Sequence, residues 1–198
     1  MNRRTFDALL AGAGLVVAVV LIVAGALAMW GHQFATDSVR DQLAAQKIYF
    51  PAKGSPELAS KEVGPHLDQY AGQQLTTGPQ AKAYADHYIA VHLKEMSGGQ
   101  TYSQLSAKAM AEPNNAALAA QVNTVFKGTT LRGMLLNAYA FWEMGRIALI
   151  AAYTAFAGAA IMLILSALGL RHLRRTAPAA EVLPKLTHRG GAAAAGTA

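Results

Sequence analysis

The stretch IALIAAYTAFAGAAIMLILSALGL, from Ile147 to Leu170, is apolar almost throughout and contains no formally charged residue. A helix of about 24 residues, at 1.5 Å rise per residue, is roughly 36 Å long. That length exceeds the hydrocarbon core of a bilayer, which is about 30 Å thick. We therefore predict that residues 147–170 form a transmembrane helix.

A second apolar run, from Ala8 to Trp30, predicts another transmembrane helix. Basic residues flank the two runs on the sides nearest the chain ends, namely Arg3, Arg4, Arg171, Arg174 and Arg175. Positive charge beside a membrane segment marks its cytoplasmic end. We expect a bacterial plasma-membrane protein with both termini in the cytoplasm and residues 31–146 outside it.

The predicted fold is all-α, with two transmembrane helices flanking an extracytoplasmic helical bundle and the second transmembrane helix extended outward. The divisions are a cytoplasmic N-terminus (1–7), transmembrane helix 1 (8–30), the extracytoplasmic helical domain (31–130), the outer extension of helix 2 (131–146), transmembrane helix 2 (147–170) and a basic, disordered cytoplasmic tail (171–198).

The composition excludes several classes of function. The net charge of +6 is concentrated beside the membrane segments, so it does not indicate a nucleic-acid partner. The chain has no cysteine, which excludes disulfides, thiolate metal sites and a cysteine nucleophile.

The start of the chain leaves an alternative open. Asn2-Arg3-Arg4-Thr5-Phe6 contains the R-R-x-F core of a twin-arginine export signal, and Ala26-Leu27-Ala28 resembles a cleavage site. The apolar run is about 22 residues, longer than the 7 to 15 residues typical of a signal peptide. We interpret the run as an uncleaved anchor.

Local signals predict the helices of the external domain. Thr77 with Gln80 and Thr101 with Gln104 have the spacing of capping boxes, so we expect helices over 78–96 and 102–111. We predict a third helix over 115–127, stopped at Gly128. Asp37 or Ser38 is expected to cap a short separate helix, and helical turns are expected after Ser55 and over 66–70.

The last helix is predicted to run unbroken from Leu131 to Arg175, since no proline occurs before Pro178. We predict that its aromatic and charged residues lie at the outer membrane interface together with the end of the first helix; these are Trp30, Tyr139, Trp142, Glu143 and Arg146. Glu143 and Arg146 are either a functional pair at membrane depth or an interfacial salt bridge worth under about 1 kcal/mol.

Three segments carry a family resemblance: DQLAAQKI (41–48), YAGQQLTTG (70–78) and TLRGMLLNAY (130–139). Through them the chain, up to about Arg175, resembles a family of uncharacterised actinobacterial membrane proteins. Members often carry an automatic label of aromatic ring-opening dioxygenase. The resemblance implies no assigned cofactor or catalytic residue.

A ring-cleaving dioxygenase of the extradiol type binds iron through two histidines and a carboxylate. His92 and Glu95, three residues apart on a predicted helix, are the best candidates in this sequence. His87 lies five residues before His92, about 140° away around a regular helix, so it is not expected to bind the same ion. We predict no catalytic residue, no metal and no cofactor.

Three hypotheses for function follow from these observations. The first is a non-enzymatic membrane protein whose external domain binds a membrane or cell-envelope protein, or another copy of itself, in addition to the lipid bilayer. The second is a sensor-like ligand-binding module that signals through a separate protein. The third is the metal-dependent dioxygenase.

Overall fold

The computed structural model describes the backbone of residues 3–175 and the side chains of residues 5–175. The side chains of Arg3 and Arg4, and residues 176–198 of the tail that we predict to be disordered, lie outside this part of the chain, whereas residues 171–175 are helical. The described part is all-helical, and its one β feature is an isolated antiparallel bridge between Tyr49 and Gln74. The predicted all-α class is confirmed.

The elements in chain order are α1 (Arg3–Ala45), a 3₁₀ turn (Pro56–Ala59), α2 (Gly64–Leu67), a second 3₁₀ turn (Asp68–Tyr70), α3 (Gly78–Tyr84), a π-helical segment (Ala85–Ile89), α4 (Ala90–Ser97), α5 (Tyr102–Ala111) and α6 (Ala116–Arg175).

Both predicted capping boxes are confirmed. The side chains of Thr77 and Thr101 each accept a bond from the backbone three residues later, and Gln80 and Gln104 return the bond. The helix that begins at Gly78 ends at Ser97, because Gly98 takes a left-handed backbone conformation with φ of 59°. The predicted turns near residues 56 and 66–70 are also present.

Two predicted helix boundaries are wrong. Asp37 and Ser38 do not cap a separate helix, because α1 continues without a break to Ala45. Gly128 does not stop a helix, because α6 begins at Ala116 and passes through it. A Cβ on Gly128 would lie 2.5 Å from Cδ2 of Leu93, so this glycine permits close packing instead of ending the helix.

The described residues fall into two compact units, which are considered separately. Ala26–Ala152 form one unit, and Met1–Gly25 with Tyr153–Ala198 form the other. α1 and α6 each contribute to both.

Two helices, α1 and α6, are long and apolar enough to span a membrane. Only 17% of the most apolar window of α1 and 11% of that of α6 are buried. The core helix of a soluble protein would be mostly buried, so these helices instead present apolar side chains to their surroundings.

The unit formed by the chain ends is held together by small residues. Ala18 of α1 and Ala159 of α6 are almost completely buried. A Cβ on Gly14 would overlap Oγ of Ser166, and one on Gly25 would lie 2.8 Å from the ring of Phe156. Small side chains therefore permit the close approach of α1 and α6 in this unit.

The unit from Ala26 to Ala152 has a continuous hydrophobic core. α1, α3, the π segment, α6 and the connection between α1 and α3 all contribute to it. Its buried residues are Val39, Leu43, Phe50, Leu58, Val63, Leu67, Leu75, Ala81, Ala85, Ile89 and Leu135. The connection, the least regular part of the sequence, therefore supplies much of the core.

Two glycines of α6 provide a matched test of this packing. Gly133 has open space where a Cβ would lie, so Gly133→Ala should stabilise the helix by about 0.5–1 kcal/mol. A Cβ on Gly145 would lie 3.0 Å from the Cβ of Ala35, a methyl group that has no rotamer through which to move aside, so Gly145→Ala should destabilise by about 1 kcal/mol or more. Thermal unfolding of the full chain in detergent, followed by circular dichroism, measures both. Equal effects of the two substitutions would contradict the packing described.

Candidate functional site

One surface feature of the Ala26–Ala152 unit is a groove between α1 and α6, with a cavity volume of about 600 Å³. Val39, Leu43 and Leu135 form its floor, and these residues are at most 5% exposed. We call this feature, with the two walls described next, the α1–α6 groove. Its volume lies within the range of small-molecule and peptide sites.

The wall on the α1 side follows a stripe of Phe34, Ser38 and Gln42 on α1 and of Gln46 directly after its C-terminal end, each four residues from the next. Nε2 of Gln42 donates a hydrogen bond to Oγ of Ser38 at 3.0 Å. Three of the four residues are therefore polar but uncharged, and they line one edge of the groove.

The wall contributed by α6 includes Leu131, Met134, Asn137 and Phe141. Met134 is 64% exposed although it is apolar. At one end of the groove the ring of Phe141 packs edge-on against Phe34, with centroids 6.4 Å apart. None of the residues lining the groove in the described chain carries a charge.

A hydrogen bond fixes the register of the two walls. Nδ1 of His32 on α1 donates to the carbonyl oxygen of Gly145 on α6 at 2.9 Å. Next to this bond, Ala35 is buried and lies against Gly145. The contact brings the helices together at one end of the groove, beside Phe34 and Phe141.

The residues predicted to lie at the membrane interface do not form one cluster, because each contacts a different part of the unit. Trp30 is 65% exposed and stacks on Phe34, with centroids 5.7 Å apart. Trp142 instead packs into the domain, where a Cβ on Gly78 would overlap its side chain. Nζ of Lys82 lies 5.4 Å from the ring centroid of Tyr139.

Glu143 and Arg146 form the ion pair that their spacing predicts, with Oε2 and a guanidinium nitrogen 2.7 Å apart. The arginine side chain is 65% exposed, and such pairs contribute little to stability in water. Their depth relative to a membrane stays a prediction. Arg171, Arg174 and Arg175 are exposed near the C-terminal end of α6, where positive charge also complements the helix dipole.

His92 and Glu95 do not form part of a metal site in the described chain. Nδ1 of His92 donates to the carbonyl oxygen of Tyr88 at 2.7 Å, and its ring packs against that of Tyr88. Within residues 5–175, no group of three or more histidine or acidic side chains has a geometry suited to an ion. The described residues therefore offer no iron triad.

The regular helix assumed between His87 and His92 is wrong, because residues 85–89 form a π-helical turn in which the amide of Ala90 bonds to the carbonyl of Ala85. Arg132 of α6 supports this turn. Its Nε donates to the same carbonyl at 3.3 Å, and its guanidinium pairs with Asp86 at 2.9 Å. Sequence spacing gave no signal for this long-range contact.

The π turn also presents His87 to His66, which lies in α2. The two imidazole rings stack with centroids 3.6 Å apart and planes 10° apart. Burial lowers the pKa of His87, and the charges of His66 and Lys82 lower it further, against the opposing effect of Asp86. Two histidines in segments of such different pattern could not have been paired from the sequence.

No family model matches the chain, and no curated protein or solved structure matches it. The resemblance to the actinobacterial membrane proteins therefore stays a prediction, and the candidate site rests on its own geometry.

The histidine pair predicts a pH-dependent stability. The pKa of His87 is lower in the folded state than its ordinary value of 6.5, so the folded state favours the neutral imidazole. The contribution of this neutral ring to the free energy of unfolding is therefore complete above pH 6.5. It should be lost as the pH falls below 6.5 through the folded pKa. The melting temperature of the full chain in detergent should thus fall between pH 7.5 and 5.5, and His87→Phe, which keeps a stacked ring, should reduce that fall.

His66→Phe provides the second variant, because it removes the facing charge and leaves His87 in place. It should also reduce the loss of stability in acid. An identical pH dependence in the wild-type chain and in His87→Phe would contradict this account of the pair.

Proposed function

We propose that this protein is a non-enzymatic integral membrane protein whose helical domain lies outside the plasma membrane and binds a partner protein through the α1–α6 groove. The observation that carries the proposal is the groove itself, which combines a buried apolar floor with an exposed Met134 and uncharged polar edges. An exposed apolar surface rimmed by polar residues is typical of an interaction site.

The shape of the groove suits a helix. Its wall on the α1 side extends from Phe34 to Gln42, about 12 Å along the helix axis, and continues to Gln46 just beyond the end of the helix. A helix of similar length can lay its apolar face on the floor of Val39, Leu43 and Leu135, and its polar residues beside Gln42 and Gln46. The partner is therefore a membrane or cell-envelope protein, or another copy of this chain, that presents a helix with one apolar face.

The topology proposed for the chain follows from charge. The basic flank at Arg171, Arg174 and Arg175, together with Arg3 and Arg4, favours a cytoplasmic position for both termini. Residues 31–146 would then be extracytoplasmic, with Trp30, Tyr139 and Trp142 near the outer headgroups and Glu143 paired with Arg146 there.

The two alternative functions differ in their support. The dioxygenase requires three metal ligands around one ion. His92 is hydrogen-bonded to the carbonyl of Tyr88, and no group of three histidine or acidic side chains within residues 5–175 could hold an ion. One observation favours a sensor-like module that signals through a separate protein. α6 is a single helix of 60 residues that belongs to both compact units, so a change at one end of this helix can be transmitted along it.

Two exposed methionines allow the proposed function to be tested. Met134→Lys introduces a charge into the groove, whereas Met110→Lys introduces the same charge on α5, where Met110 is 76% exposed. After affinity purification in mild detergent, Met134→Lys should reduce the recovered partner about tenfold or more, as expected for a loss of about 1.4 kcal/mol. Mass spectrometry of the purified complexes identifies the partner and measures its amount relative to this chain.

The Met110→Lys chain should retain the partner at the wild-type level. Recovery of the chain alone from wild-type membranes, or equal loss in both variants, would contradict a partner bound in the groove.

A further inference from the structure

We infer that the occupant of the α1–α6 groove is a second copy of this chain, so that two copies pair groove to groove. This inference rests on the proposed function, since it names the partner that the groove binds. It follows from three properties of the groove: its lack of charge, the kind of polar group at its edges, and an apolar side chain that projects beside its floor.

Membrane insertion restricts how two copies can meet. Both copies have the same orientation in the bilayer, so a closed pair has a two-fold axis perpendicular to the membrane. Each contact between the two grooves then occurs twice, with residue i meeting residue j and j meeting i, and only residues at the axis itself meet their own copies. A surface that pairs in this way must be compatible with itself.

Charge is distributed on α1 as such a pair requires. A charged side chain near the axis would face its own copy, which is strongly unfavourable. The residues lining the groove carry no charge, whereas Asp37, Arg40 and Asp41 lie on α1 outside it. The guanidinium of Arg40 forms ion pairs with both carboxylates, at 3.4 Å from Asp37 and 3.6 Å from Asp41.

The polar groups of the groove are of a kind that can bond to themselves. Gln42, Gln46 and Asn137 have side-chain amides, each with two N–H donors and a carbonyl acceptor. In a pair, such an amide can both donate to a side-chain amide of the other groove and accept from it. Lysine, arginine or a carboxylate could not do so, because each only donates or only accepts.

The apolar residues provide complementary shapes. Met134 projects from the α6 wall and is 64% exposed, and Phe34 on the opposite wall is 56% exposed. In a symmetric pair, Met134 of each copy can pack over the floor of the other groove, formed by Val39, Leu43 and Leu135. Methionine is unbranched and flexible, so it adapts to such a surface without strain.

A photo-crosslinker separates this occupant from the others. We would place p-benzoylphenylalanine at position 134 of the full chain, with a matched probe at position 110 on α5, and irradiate native membranes. A covalent product with the mass of two chains, formed from position 134 and not from 110, is the expected result.

The other outcomes each overturn a defined claim. A product with a different protein at position 134 would overturn the pairing of two copies and leave the proposed function standing. A lipid adduct, or no adduct in chains that are inserted in the membrane, would overturn both. A two-chain product of equal yield from positions 134 and 110 would also overturn groove-specific pairing.

A charge substitution tests the symmetry directly. Gln42→Glu places one carboxylate from each copy in the paired grooves, which are otherwise uncharged, whereas Gln33→Glu makes the same change at an exposed position of α1 outside the groove. When two differently tagged copies are expressed together, Gln42→Glu in both should reduce co-purification about tenfold or more. Gln33→Glu should leave it unchanged, and equal co-purification of the two variants would contradict the proposed pair.

Discussion

The contact between Gly145 and Ala35 is the constraint on which the Ala26–Ala152 unit depends. A Cβ on Gly145 would lie 3.0 Å from the Cβ of Ala35, so α1 and α6 approach closely at this point because position 145 has no side chain. The bond from His32 to the carbonyl of Gly145 fixes the register at the same point. The separation of the two walls along the α1–α6 groove follows from this close contact at one end.

The rest of the unit packs against α1 and α6 on a side away from the groove. The connection between α1 and α3 buries Leu67 and Leu75 completely, and Arg132 ties α6 to the π turn through Asp86. Hydrogen bonds from Lys82 and Arg132 lower the pKa of Asp86, so this carboxylate stays charged over the ordinary pH range. One face of the helix pair is thus covered by the chain itself, and the groove is left open on another.

The sequence predicted what is encoded locally. The boxes at Thr77 and Thr101 fix helix starts within a few residues, and the apolar runs identify the two long helices because hydrophobicity is concentrated there. The sequence did not predict that α6 continues through Gly128. A glycine that ends a helix and a glycine that makes room for a packed side chain such as Leu93 cannot be distinguished from the sequence alone. The groove was missed because its walls lie about 90 residues apart in the chain.

The chemical accessibility of the groove in living membranes tests its external position and its occupation most directly. The chain has no native cysteine, so Ser38→Cys in the groove and Asp41→Cys outside it each provide a single label site. With a membrane-impermeant maleimide in intact cells, Asp41→Cys should react readily, and Ser38→Cys should react about tenfold faster when combined with Met134→Lys than without it. An unreactive Asp41→Cys would contradict the external position of the domain, and an unchanged rate at Ser38→Cys would show that no partner occupies the groove.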